Sequence, residues 1–155
     1  MKITPIDFKK ADVQELLEHH LAEARNAETT NAIDSNVLAE SEVTMFSMRS
    51  KDNALMGFAA LKSLSDKEGE IKSVRTHPDH LRKGVSQALM AHIEQVANDR
   101  GYEKLLLETH PTEQYKAARA LYKKRGYTER GPFAGYAPSE DSVFLELMLV
   151  TCAKK

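Results

Sequence analysis

The run KLLLET, residues 104–109, sets three leucines in a row between charged ends. A half-exposed strand alternates apolar with polar side chains, so three leucines in succession fit a central strand buried on both faces. Helical patterns flank it on each side. Before it, Val85, Ala88, Leu89, His92, Ile93, Val96 and Ala97 share one helical face, and Gly101 closes the helix. After it, residues 113 to 125 place Ala117, Ala118, Leu121 and Tyr122 on one side, with Gly126 beyond. GEIKSVRT (69–76) reads as the strand that leads into this unit. The spacing therefore predicts strand–helix–strand–helix at the centre of a mixed α/β domain.

The remaining segments extend the sheet. MKITPI is a short alternating strand. Asp12 is placed to cap a helix, with Glu15 three residues on, and Val13, Leu16, Leu17, Leu21 and Ala24 follow at helical spacing. Residues 26 to 40 are polar and read as a short helix or loop. VTMFSMRS (43–50) and LMGFAALKSL (55–64) form a predicted hairpin around KDNA. YTERG is a short strand, and SVFLELML (142–149) alternates and ends the sheet. No repeat or linker interrupts the pattern, so one domain over residues 1–155 is expected.

The chain carries 22 basic and 23 acidic residues, a net charge of −1, which argues against a general nucleic-acid binder. One cysteine, Cys152, rules out an internal disulfide and a zinc site built on several thiolates. The N-terminus has no apolar run of signal-peptide type, and no stretch approaches the roughly 20 apolar residues of a membrane span. A soluble protein in a reducing cytoplasm, without membrane partners, is the expectation.

The segment HPDHLRKGVSQAL (77–89) carries chemistry. Its glycine, Gly84, stands where the helix begins, a place where glycine lets a ligand approach the backbone closely. The first amides of a helix have no internal acceptor, and they attract anions such as a diphosphate. Arg82 and Lys83 add positive charge there, and Ser86 adds a hydroxyl. The segment contains neither GxxxxGK[ST] nor the three-glycine dinucleotide spacing, so those two phosphate sites are excluded. The plain alternative is a surface helix that starts with glycine and lysine.

A second segment, AARALYKKRGY (117–127), joins it. Together the two resemble the GNAT family, the Gcn5-related acyl-CoA-dependent N-acyltransferases. The family's diphosphate loop, Q/R-x-x-G-x-G/A, is met by Leu81, Arg82, Lys83, Gly84, Val85 and Ser86, with Leu81 and Ser86 departing from the pattern. The later motif, N-x-x-A-x-x-L-Y-x-x-x-G-F/Y, is met by Tyr115, Ala118, Leu121, Tyr122, Gly126 and Tyr127, with Tyr115 departing. FAALK (58–62), LLLET (105–109) and GPFAGYAPSEDSVF (131–144) resemble a bacterial branch of small acetyltransferases, some named for indole acetate; that label fixes no substrate.

The resemblance implies the GNAT fold, a central mixed sheet of about six to seven strands with about four helices. It implies acetyl-CoA as cosubstrate, an amine acceptor, direct attack of the amine on the thioester, and no metal. Dimers are common in the family, so a homodimer is left open. A non-catalytic acyl-CoA-binding regulator on the same fold is the alternative that Leu81 and Tyr115 sustain.

Residue by residue, the resemblance implies that Val74 and Thr76 pair with the pantetheine arm. Leu81 through Ser86 with Ala118 would hold the cofactor. Tyr122 would protonate the leaving thiolate, since a phenol and a thiol have comparable acidity. Glu70 matches the strand position of the family's glutamate base; a solvated strand-end carboxylate is its alternative. Glu108 and His110 are reserve bases and, with Tyr136, candidate acceptor contacts. His19 and His20, adjacent on a helix, make a poor metal pair. His77 and His80 are read as solvated, His92 as a packing residue, and Met45, Met48 and Met56 as core or groove fillers.

Overall fold

The computed structural model describes residues 2–5, 10–25 and 43–149, with the helical backbone alone over 19–25. The elements follow the chain as β1 (Lys2–Pro5), α1 (Ala11–Arg25), β2 (Val43–Arg49), β3 (Leu55–Ser63) and β4 (Glu68–Thr76), then α2 (Val85–Asp99), β5 (Lys104–Thr109), α3 (Lys116–Lys124), β6 (Thr128–Arg130) and β7 (Val143–Met148). Single 3-10 turns precede α2 at Pro78–His80 and α3 at Glu113–Tyr115. Among the described residues the sheet has seven strands, in the order β1-β2-β3-β4-β5-β7-β6. Three helices lie among the described residues; the expected helix or loop at 26–40, the side chains of His19 and His20, and Cys152 lie outside them.

The three leucines behave as their sequence requires. Leu105 and Leu107 enter a core with Leu89, Met90 and Ile93 of α2, and Leu106 faces the other way, against Phe133 and Phe144. β5 pairs with β4 in parallel on one side and with β7 antiparallel on the other. On the sheet face opposite α2, Val13, Leu16 and Leu17 of α1 cover Met45, Leu55, Phe58 and Ala60. Met45, Met48 and Met56 are buried, and His92 packs its ring at 4.7 Å from that of Phe46.

Two local expectations are corrected. Asp12 does not cap α1, which begins one residue earlier; its carboxylate instead accepts two hydrogen bonds from the Arg49 guanidinium, at 2.8 and 3.1 Å. The helix expected from residue 113 opens as a 3-10 turn and becomes α-helical only at Lys116.

Gly57 sits where β3 meets the end of β4 and the start of α2. A Cβ there would lie 2.5 Å from the Arg75 carbonyl oxygen and 2.9 Å from Val85 Cγ1. Those atoms belong to the backbone and a buried side chain, so they cannot give way cheaply. Gly57→Ala is expected to destabilise the fold by about 1–3 kcal/mol, read as a lower urea midpoint at unchanged slope.

Candidate active site

β4 and β5 pair only from Glu68–Lys104 to Ile71–Leu107, although β4 runs on to Thr76 and β5 to Thr109. A bulge lies just past that limit. Phe58 faces Arg75 and Ala60 faces Lys72, so Ala59 stands opposite both Ser73 and Val74, and Ser73 takes a left-handed φ of 58°. A bulge bends its strand and leaves one residue out of the ladder. The far half of β4 therefore presents backbone groups at the seam with no strand beside them.

The chain leaves β4 through the Pro78–His80 turn and reaches α2 by a second unusual stretch. Arg82 and Gly84 both have left-handed φ, 64° and 78°, and Gly84 is the N-cap residue. The first helical hydrogen bond runs from the Ala88 amide to the Gly84 carbonyl at 3.0 Å. The amides of Val85, Ser86 and Gln87 thus lie in the turn that has no helical acceptors. Built on this backbone, a Cβ at Gly84 would meet nothing within 4 Å. The space before the helix is open, and the left-handed φ is what calls for glycine.

That space is a cavity of about 490 Å³ between the end of β4, the Leu81–Gln87 segment and α3. Val74, Thr76, Leu81, Arg82, Gly84, Val85, Ser86, Ala118 and Tyr122 line it, with Gln87, Ala117 and Leu121. The small side chains of α3 leave room on that wall. Gln87 was missed because its side chain matches no motif position; its place in the first helical turn was the available signal.

Lys83 is not among the lining residues; its ammonium lies 3.4 Å from His80 Nδ1 on the exposed side. Ser86 uses its hydroxyl on Thr76, Oγ to Oγ1 at 2.6 Å, which ties the first turn of α2 to the end of β4. Leu81, at 58% exposure, holds an apolar side chain at the mouth of the cavity.

α3 is clamped at its end. Arg125 donates to both oxygens of Glu94 on α2, at 3.0 and 2.6 Å, and the Tyr127 hydroxyl donates to the same carboxylate at 3.1 Å. This holds Tyr122, one turn earlier, against the core. Burial pushes the Tyr122 phenol up to about 12, with a smaller push from Tyr115. A phenol so shifted stays protonated at any ordinary pH.

Glu70 lies on the other face of the sheet from Tyr122. Its neighbour Ile71 packs into the α2 core, and side chains alternate along a strand. Glu70 is 1% exposed, so it is not the solvated strand-end carboxylate that was its alternative. The Tyr136 hydroxyl donates to its Oε2 at 2.8 Å, and the Lys72 ammonium lies 3.5 Å from the same oxygen. Burial raises the Glu70 carboxyl above the usual range, opposed by the Lys72 charge and the Tyr136 hydrogen bond.

Glu108 accepts a hydrogen bond from the Ser142 hydroxyl. His110 turns Nδ1 to the Asp141 carbonyl at 2.7 Å, and its ring lies 4.6 Å from that of Tyr115. A carbonyl oxygen can only accept, so Nδ1 carries a proton. The molecule thus brings together two groups of the expected residues, one on each side of the sheet where β4 and β5 part.

A family model described as the acetyltransferase (GNAT) family matches residues 10–127. The chain belongs to the GNAT acetyltransferases. It is 38% identical over 146 residues to YedL of Escherichia coli, covering 92% of this chain and 91% of that protein. It is 42% identical over 118 residues to YsnE of Bacillus subtilis, covering 76% and 78%. Both relatives are described as uncharacterized N-acetyltransferases. A crystal structure of a provisionally named acyl-CoA N-acyltransferase from Klebsiella pneumoniae superposes on this GNAT chain with a TM-score of 0.78 at 29% identity, covering 96% of this chain and 97% of that one. Family, relatives and fold agree on an N-acetyltransferase.

Because Gly84 holds φ 78° with open space before it, any L side chain there carries backbone strain without a clash. Gly84→Ala is expected to cost about 1–2 kcal/mol of stability from the left-handed backbone alone, measured by thermal or urea unfolding.

Proposed function

We propose that this acetyltransferase moves an acetyl group from acetyl-CoA to a primary amine by direct attack of the amine on the thioester carbonyl. One observation carries the reading: the cavity joins a cradle of unpaired helix-start amides to the Tyr122 phenol along the unpartnered half of β4. A diphosphate suits the amides of Val85, Ser86 and Gln87 with the Arg82 charge beside them. Val74 and Thr76 offer backbone groups to an extended, amide-bearing arm, which would lie against β4 as a further strand. Lys83, turned toward His80, adds only long-range charge.

In the reaction a C–N bond forms and the C–S bond breaks. The attacking nitrogen sheds a proton, and Glu70 on the acceptor side takes it. The upward shift from burial makes the Glu70 carboxylate a stronger base than an exposed one. Tyr122 faces the departing sulfur. With its phenol near 12 and an ordinary thiol near 8.5, full proton transfer to the thiolate would run uphill. Tyr122 therefore stabilises the thiolate as a hydrogen-bond donor, a narrower role than that of general acid. Glu108, His110 and Tyr136 border the acceptor side. The acceptor is an amine small enough to reach the seam, and acetyl-CoA enters from the opposite face.

Acetyl-CoA, a panel of primary amines and a thiol reagent test this directly. Amine-dependent thiol release supports transfer; tight coenzyme binding without release with any amine would favour the regulatory alternative. Tyr122→Phe is expected to lower kcat about tenfold or more with little change in coenzyme affinity, and unchanged turnover would remove Tyr122 from the mechanism. With its phenol pushed up to about 12 by burial, Tyr122 should give no descending limb in the pH–rate profile below about pH 11. Gly84→Glu places a carboxylate where the diphosphate is expected, and coenzyme affinity measured by calorimetry should fall at least about tenfold. Undiminished affinity would count against the cradle.

A further inference from the structure

Glu70 has one oxygen engaged and one idle. Oε2 takes the Tyr136 hydroxyl at 2.8 Å, whereas Oε1 is buried and has no hydrogen-bond partner among the described residues. A buried carboxylate oxygen without a donor is costly, and a native site that keeps one is holding a place for a ligand, a water or a proton. The Lys72 ammonium donates to the Tyr136 oxygen at 2.6 Å, so Tyr136 bridges a cation and an anion that stand two residues apart on β4.

Tyr136 comes from the long segment between β6 and β7. Ala134 and Gly135, both with left-handed φ, turn the chain just before it, and the Tyr136 amide closes that turn on the Phe133 carbonyl at 2.9 Å. Its ring rests on Phe133 and Phe144, with centroids at 5.4 and 6.1 Å. Ring and turn fix the hydroxyl without help from the acceptor. Ser142, at the end of the same segment, donates to Glu108. One segment therefore engages the carboxylates of both strands that border the seam.

We propose that Tyr136 is a positioning residue for Glu70: its hydroxyl holds Oε2 against β4 and leaves Oε1 as the oxygen that receives an N–H of the acceptor amine. This rests on the reading of Glu70 as base. It replaces the expectation that Tyr136 touches the acceptor itself. The charged and titratable groups facing Glu70 are Lys72 on its own strand, Lys62 across on β3, and Tyr136; Glu108 on β5 acts on Lys72 and Tyr136. The Lys72 charge favours the ionised carboxylate against its burial, and the hydroxyl adds a hydrogen bond to the charged form.

The test is Tyr136→Phe, which keeps the ring and its packing and removes the hydroxyl. Losing a hydrogen bond to the ionised form must raise the pH at which Glu70 titrates. Carbon-13 NMR of the Glu70 carboxyl in the whole protein should show that rise, about one pH unit. The acidic limb of kcat/KM with the fastest amine of the panel should move up by the same amount, so activity below the limb falls about tenfold and recovers at higher pH. Lys72→Met should move both readouts further in the same direction, and Lys72→Arg should bring them back toward the natural protein.

An unmoved NMR titration, with a loss confined to the acceptor KM, would overturn the proposal and leave Glu70 as base. Glu70→Gln that kept the acidic limb would show that Glu70 is not the base, and both readings would then fall.

Discussion

The parting of β4 from β5 after four paired residues is the constraint on which the rest of the molecule depends. A parallel pair in a sheet normally continues for the length of its shorter strand, because each further residue satisfies backbone groups that would otherwise be left open. Here the bulge at Ser73 and Val74 ends the pairing early. The unpaired end of β4 lines a cavity, through Val74 and Thr76. α2 packs on the same face of the sheet, with Leu89, Met90 and Ile93 in one core cluster with Leu61, Ile71, Leu105 and Leu107. Gly57 lets the start of that helix sit against the sheet at close range.

From this follows a division of labour between the two faces. On the face that carries α2 and α3 stand the helix-start amides, Arg82 and Tyr122; on the other stand Glu70, Lys72, Glu108 and Tyr136. Each face has its own anchoring. Thr76–Ser86 and the Glu94–Arg125–Tyr127 cluster hold the first. The segment between β6 and β7 holds the second, through Tyr136 and Ser142. Neither set of anchors shares a residue with the other.

Much of this was legible in the sequence, and the reason differs by residue. The strand of three leucines, the helix face from Val85 to Ala97 and the small-residue face of α3 are local periodicities, and period is what sequence displays best. Gly84 was legible from its place at the helix entrance; that its φ of 78° is left-handed is seen only in the fold. The Glu70 environment was not. Its partner Tyr136 lies 66 positions away in an irregular segment, and only the fold brings the hydroxyl to the carboxylate. The same holds for Asp12, which looked like a cap because its partner Arg49 is 37 residues on. Lys83, expected beside Gly84 at the cofactor site, is not among the cavity-lining residues, and its ammonium lies 3.4 Å from His80 Nδ1, a pairing no motif announces. The bulge itself has no sequence mark; Ser73 is an ordinary residue in an unusual conformation.

The outermost strands carry a consequence of their own. β1 spans Lys2–Pro5 among the described residues and includes Pro5, and β6 is three residues, Thr-Glu-Arg, with Arg130 paired to Glu146 of β7 at 3.1 Å. Short, charged or proline-bearing borders give a foreign strand little to zip onto. A sheet that must stay open in its middle, where backbone groups await a visitor, is thereby closed to visitors at its rims. Unwanted stacking of one molecule on the next is discouraged by the same economy of length that leaves the central gap as the inviting place for an extended chain to lie down.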